Sequence, residues 1–227
     1  MRYEVKGEPF PVVIMTLEPN ETVNCQKGAM TWMSPNMQMS TNAAGGNLGK
    51  MFSRVVSGES LFQNKYTAQG GPGEIAFGTS MPGHILAVEI APDRMIVAQK
   101  KAYLAATEGV QMDVFFQKKI GAGFFGGEGF IMQKFTGQGM AFLEIDGSTI
   151  EYDLRPGESM LIDTGYLAAM DGTCSIDIEQ IKGLGNVLAG GEGFFNTRVT
   201  GPGHIWLQTM PISGLANSLR PYFPTSR

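Results

Sequence analysis

One ten-residue pattern occurs three times in this chain, and any fold must house all three copies in equivalent places. Gly58-Glu59-Ser60-Leu61-Phe62-Gln63-Asn64-Lys65-Tyr66-Thr67 matches Gly127-Glu128-Gly129-Phe130-Ile131-Met132-Gln133-Lys134-Phe135-Thr136, and again Gly191-Glu192-Gly193-Phe194-Phe195-Asn196-Thr197-Arg198-Val199-Thr200. Each copy opens Gly-Glu-small-apolar-apolar and closes basic-apolar-Thr. A glycine-flanked turn follows every copy: Gly71-Pro72-Gly73, Gly137-Gln138-Gly139 and Gly201-Pro202-Gly203. An apolar stretch comes next, at Ile75 to Phe77, Ala141 to Ile145 and Ile205 to Leu207. The leading glycines are spaced by 69 and then 64 residues, which suits a small β unit better than a short solenoid repeat.

A second element recurs ahead of the first. Leu17-Glu18-Pro19-Asn20-Glu21-Thr22 matches Leu154-Arg155-Pro156-Gly157-Glu158-Ser159, and Ala102-Tyr103-Leu104-Ala105 echoes Gly165-Tyr166-Leu167-Ala168. The chain is therefore expected to hold three tandem β units, at 1–81, 82–146 and 147–212, followed by a tail at 213–227. Ile150 to Leu154 and Cys174 to Glu179 alternate with period two and are expected as half-buried antiparallel strands. Asp146-Gly147 lies between apolar runs and is expected to close a hairpin, since glycine accepts the positive φ of a tight turn. Helix is expected only in short connectors, such as the one carrying Leu48, Phe52, Val55 and Val56, and over Ser213 to Leu219 with Ser213 as cap.

Composition agrees with a turn-rich β protein. Glycine supplies 31 of 227 residues, about twice the usual ~7%, while charged residues are 17% against a typical ~25%. The longest apolar runs, Ala102 to Ala106 and Tyr166 to Met170, fall far short of the roughly 20 residues that a membrane-spanning helix needs. A net charge of −4 lacks the basic footprint of a phosphate-binding protein, so nucleic acid is disfavoured as a partner. Two cysteines, Cys25 and Cys174, with no secretion signal suggest a reducing, cytoplasmic setting and packing roles for both thiols.

The Gly-Gly-Glu-Gly-Phe strands, the Gly-Pro-Gly turns, the run Gly70-Gly71-Pro72-Gly73-Glu74-Ile75-Ala76-Phe77-Gly78 and the closing Trp206-Leu207-Gln208-Thr209 together resemble the altered-inheritance-of-mitochondria family. The resemblance covers nearly the whole chain. It implies an all-β fold of three tandem β-sandwich units of double-stranded β-helix type, like the subunit of the tryptophan RNA-binding attenuation protein. It implies little about function, since fungal members are associated with inner-membrane organisation and microbial members are uncharacterised. An Arg-rich amphipathic presequence is missing, which favours a microbial cytoplasmic member.

Residues repeated in all three copies are expected to specify the fold, because an active site converges different groups on one place. Glu59, Glu128 and Glu192 each precede a base, Lys65, Lys134 and Arg198, by six residues, an even spacing that puts both on one strand face. At ~3.3 Å per residue the two ends lie roughly 20 Å apart, too far to pair within a strand. The expectation is ion pairing between units, with a repeated ligand site at the unit interfaces as the alternative. Gly121-Ala122-Gly123-Phe124-Phe125-Gly126 matches a dinucleotide fingerprint but lacks the strand-helix-strand context.

Metal and nucleophilic chemistry find little support. A cupin-like metal centre needs several converging ligands, and the two histidines, His84 and His204, each follow a Pro-Gly turn in different units. No Gly-x-Ser-x-Gly elbow is present, and neither cysteine has a histidine nearby in sequence. No cofactor or catalytic residue is therefore assigned. Paired aromatics such as Phe115-Phe116, and the methionines Met30, Met33, Met37 and Met39, favour docking of units or subunits alongside core packing. The reading is a non-catalytic homo-oligomeric β protein with a scaffold or partner-binding role. The alternative is a small-ligand or RNA-binding ring with sites between adjacent units.

Overall fold

The computed structural model describes residues 1–41, 63–118, 129–180, 195–219 and 222–223. These residues form antiparallel sheets with one short α-helix, α1 (Ile212–Leu219). Strands are numbered in chain order. One sheet runs β1 (Arg2–Lys6), β2 (Val12–Leu17), β7 (Gly73–Gly78), β4 (Met30–Met33). The second runs β5 (Met37–Thr41), β6 (Gln63–Ala68), β3 (Thr22–Gln26), β10 (Tyr103–Thr107), β13 (Gly139–Asp146), β8 (Gly83–Ile90). The third runs β11 (Val110–Lys118), β12 (Phe130–Gly137), β9 (Ile96–Gln99), β16 (Leu167–Asp171), β19 (Gly203–Gln208), β14 (Thr149–Leu154). The fourth runs β15 (Ser159–Asp163), β18 (Phe195–Thr200), β17 (Ser175–Gln180).

Both six-stranded sheets mix residues from two of the sequence segments. The β5-β6-β3 trio of the first segment meets β10-β13-β8 of the second through the β3–β10 seam, with Ala105 opposite Cys25 and Ala106 opposite Asn24. In the same way β11-β12-β9 meets β16-β19-β14 through β9–β16, with Ala169 opposite Ala98 and Met170 opposite Val97. Ala105, Ala98 and Ala169 are fully buried. Small side chains on these strands let two sheets' worth of core close over them. The clusters follow suit, since Leu104, Ala105 and Phe142 pack into the core built around Val13, Leu17 and Phe77.

The glycine turns carry the chain between sheets. Strands β6 and β7, β12 and β13, and β18 and β19 flank the three turns, and no pair shares a sheet. The last glycine of each turn has no room for a side chain. A Cβ on Gly203 would lie 2.6 Å from Cys174 Sγ, one on Gly73 2.6 Å from Met37 Sδ, and one on Gly139 would collide with Thr107 Oγ1. Gly139 and Gly203 also hold φ of +146° and +150°, which disfavours L side chains.

A latch stands beside each turn. The N–H of Glu74, Met140 and His204 donates to Ser34 Oγ, Thr107 Oγ1 and Asp171 Oδ2 at 2.9, 3.0 and 2.9 Å. A β-bulge then interrupts pairing at Met30/Trp32, Tyr103/Ala105 and Leu167/Ala169. Such a bulge bends its strand and raises the local twist, here in β4, β10 and β16, the strands that pair with those leaving the turns.

Three local expectations need correction. Asp146-Gly147 does not close a hairpin: β13 pairs with β10 and β8, whereas β14 pairs with β19, so this turn also switches sheets, with Gly147 at φ +77°. Strand β14 is an edge and is not half-buried, with Ile150 and Tyr152 exposed along with Glu151 and Asp153. Helix α1 begins at Ile212, so Ser213 lies inside its first turn. The carboxylate of Asp146 takes the capping role and accepts from Ile212 N–H at 2.8 Å. The strand over Ser175 to Glu179 alternates as expected, with Ile178 buried and Ser175 and Asp177 exposed. The connector helix around Leu48 and the Gly121 to Gly126 run lie outside the described residues. None of the described helices is long and apolar enough to cross a membrane.

Candidate functional site

A cleft of about 290 Å³ opens where α1 lies across the ends of β13, β9 and β19. Its floor is Glu144, a charged residue set between the fully buried Leu143 and the nearly buried Ile145. Glu144 is 8% exposed and accepts from Ser80 N–H at 2.7 Å and from Ser80 Oγ at 3.0 Å. Burial pushes its carboxyl above the ordinary carboxylate range, the two Ser80 bonds pull it back, and the charge of Asp146 pushes it up again.

Asp146 closes one wall. Burial raises its pKa too, while the Ile212 N–H and the Lys101 ammonium lower it. Its own N–H donates to Gln208 Oε1 at 3.1 Å, and Gln208 Nε2 reaches Gly165 O at 2.7 Å. Gln99 Nε2 donates to Leu167 O at 2.5 Å and to Gly165 O at 3.2 Å. These bonds fix both amides and leave Ser213, Asn217 and Lys101 on the rim. The arrangement offers carboxylate acceptors, amide and hydroxyl groups and an apolar wall from Ala102, Pro211 and Ala216. It suits a small polar molecule that brings hydrogen-bond donors.

The repeated ionic residues do not gather here. Lys65, on β6, pairs across segments with Glu108 at 3.2 Å. Arg198, on β18, forks onto Glu179 of the neighbouring β17 at 2.5 and 3.2 Å, inside one segment. Lys134, on β12, lies opposite Asp113 on one side and Val97 on the other. The three bases thus sit on three different sheets. Glu59, Glu128 and Glu192 lie outside the described residues.

Both thiols are buried and free, pushed up by burial to about 12 at Cys25 and about 11 at Cys174. Thiols held so far above neutral pH carry almost no thiolate. His84 contacts Glu8 at 2.9 Å. His204 sits between Asp153 at 2.7 Å and Glu151 at 2.9 Å, with its ring 4.5 Å from that of Trp206. Burial is the largest single influence on His204 and favours the neutral ring, but the two carboxylates together outweigh it and raise its pKa. Among the described residues no group of three or more His, Cys, Asp or Glu could hold a metal ion.

Sequence reasoning missed Glu144 and Asp146. The available signal was a charge inside the apolar run from Ala141 to Ile145, which a strand pattern alone reads as an outward-facing residue.

Three comparisons place the chain. The family model described as mitochondrial biogenesis AIM24 matches residues 3–210. An uncharacterised protein of Streptococcus pyogenes serotype M6 is 31% identical over 236 residues, an alignment covering 100% of this chain and 92% of that protein. A crystal structure of a protein from Streptococcus pyogenes superposes with a TM-score of 0.81 at 27% identity, covering 98% of this chain and 99% of the other.

Proposed function

This chain belongs to the mitochondrial biogenesis AIM24 family, and from that premise we propose that it acts without catalysis, as a homo-oligomeric β scaffold that presents its surface to a partner. One observation carries the reading. The molecule is built by strand-edge pairing between successive segments, yet β4 and β15 each keep one unpaired side among the described residues. Edges of that kind are templates for further pairing. Exposed apolar side chains on the same strands, Trp32, Met33 and Leu161, support association. The reading takes the sequence repeats as three equivalent units and the setting as a bacterial cytoplasm, and the streptococcal origin of the relative supports the bacterial part of it.

Native mass spectrometry of the unliganded protein tests it. A discrete homo-oligomer at micromolar concentration is the expected result, and a monomer at every concentration would overturn it.

A second reading rests on the Glu144 cleft. It holds a small polar ligand between segments, since its lining draws Ser80 from the first, Gln99 and Glu144 from the second and Gln208 from the third. Extra mass that survives gentle desolvation and disappears in Glu144→Gln would favour this reading. Ligand-free spectra and an unchanged melting temperature across a panel of amines and amino acids would dismiss it.

A further inference from the structure

The two formed seams show what a third would look like. Strand β4 occupies the place of β10 and β16, since all three follow a latch-and-bulge pattern against β7, β13 and β19. Strand β15 occupies the place of β3 and β9, since Leu161, Asn24 and Val97 lie opposite Arg198, Lys65 and Lys134. Yet β10 pairs with β3 and β16 with β9, while β4 is bonded only to β7 and β15 only to β18 among the described residues.

Burial follows the pairing. Ala105 and Ala106 of β10 are 0% and 2% exposed, whereas Trp32 and Met33, at the same positions of β4, are 46% and 38% exposed. Leu161 of β15 is 51% exposed where Val97 of β9 is fully buried. Composition points the same way. Strand β4 reads Met-Thr-Trp-Met with no charge, and β15 carries only Asp163 at its end. By contrast the edge strand β1 carries Arg2, Glu4 and Lys6, and β14 carries Glu151 and Asp153. Charged edges resist pairing, and these two lack that protection.

We propose that β4 of one copy pairs antiparallel with β15 of a second copy, closing between molecules the seam that the chain closes twice within itself. The register follows from the two formed seams: Trp32 opposite Ile162, Met33 opposite Leu161, and Ser34 opposite Met160. The second copy is the occupant because it supplies the matching strand, and because the chain's own two edges stand unpaired with each other in this structure. This inference rests on the oligomeric-scaffold reading and specifies its surface.

The experiment combines two single variants, Met33→Cys and Leu161→Cys, mixed under a mild thiol oxidant. The expected product is a disulfide-linked pair of one copy of each, formed at least ~10-fold faster than in a mixture of Met33→Cys with Ile150→Cys, a change on a different exposed edge. Native mass spectrometry of the unsubstituted protein runs alongside. An oligomer without the crosslink overturns the seam and leaves the scaffold reading standing. A monomer overturns both. The double variant Met33→Cys/Leu161→Cys adds one more arm. If it closes internally at high dilution, losing two hydrogens without forming a covalent pair, the seam belongs to one chain and the proposal fails. A Met33→Asp variant, which keeps the fold but puts a charge on the edge, is expected to weaken assembly by about 10-fold or more, and unchanged assembly would also count against the seam.

Discussion

Strands β10 and β4 both bulge against their neighbours β13 and β7, but β10 has a strand on each side and β4 has one. Alongside that difference in pairing, matching positions hold buried alanines in β10 and an exposed tryptophan and methionine in β4. The pair β9 and β15 repeats the contrast. Burial in this fold is thus set less by a strand's own sequence than by whether the next segment docks against it. The interior seams have exchanged bulk for closeness, with Ala98, Ala105, Ala106 and Ala169 at the contact, whereas the open edges carry large side chains that gain only when covered.

The contrast breaks most sharply when a charge is placed on each side of it. Ala169→Asp buries a carboxylate with no partner inside the β9–β16 seam and is expected to cost about 3–5 kcal/mol, or to abolish folding. Met33→Asp, measured at dilution where the chain is monomeric, is expected to stay within about 0.5 kcal/mol of the unsubstituted protein. Urea unfolding midpoints check both.

The glycine turns sharpen the comparison on the next scale. Gly139→Ala must displace Thr107 from its latch, and its φ disfavours the new Cβ, so a loss of about 1–3 kcal/mol is expected. Gly71→Ala, at the start of a matching turn with nothing within 4 Å, is expected to be neutral. Equal losses at both would mean that the crowding does not matter.

Smaller effects come from titration. Because burial raises the native pKa of Glu144, the folded state holds that proton more tightly than the unfolded one. The contribution of this carboxyl is therefore present below the ordinary carboxylate range and is lost as pH rises through the raised value. Glu144→Gln lacks that loss, so the stability of the variant should gain on the unsubstituted protein between acid and neutral pH. His204 behaves alike for a different reason. Its pKa is raised by Asp153 and Glu151 against the pull of burial, so its stabilisation is complete below 6.5 and fades as pH climbs through the raised value. Comparing His204→Gln with the unsubstituted protein by thermal melts at acid and alkaline pH should show a gap of about 0.5 kcal/mol that closes on the alkaline side.

The strands were legible because glycine turns and apolar runs punctuate this chain so regularly, and the family because those turns recur at fixed offsets. What connects to what was less so. Asp146-Gly147 has the chemistry of a hairpin turn, and only the pairing of β13 with β8 and of β14 with β19 shows that it crosses between sheets. Strand β14 alternates as a half-buried strand would, yet lies on an edge where Ile150 and Tyr152 face outward. The cleft was invisible because Ser80, Glu144 and Gln208 come from distant stretches that only the repeated crossings between sheets bring together. The open seam was hidden for a related reason, since β4 is as apolar as β10 and sequence does not say which of them finds a neighbour.

Hydrogen exchange on the backbone amides of β4 and β15, read against those of β10 and β16 over a range of protein concentration, tests the account most directly. Strands β10 and β16 are expected to be protected at every concentration, and β4 and β15 to gain protection together as concentration rises and copies pair. Exchange at β4 and β15 that is the same at every concentration, fast or slow, would contradict it.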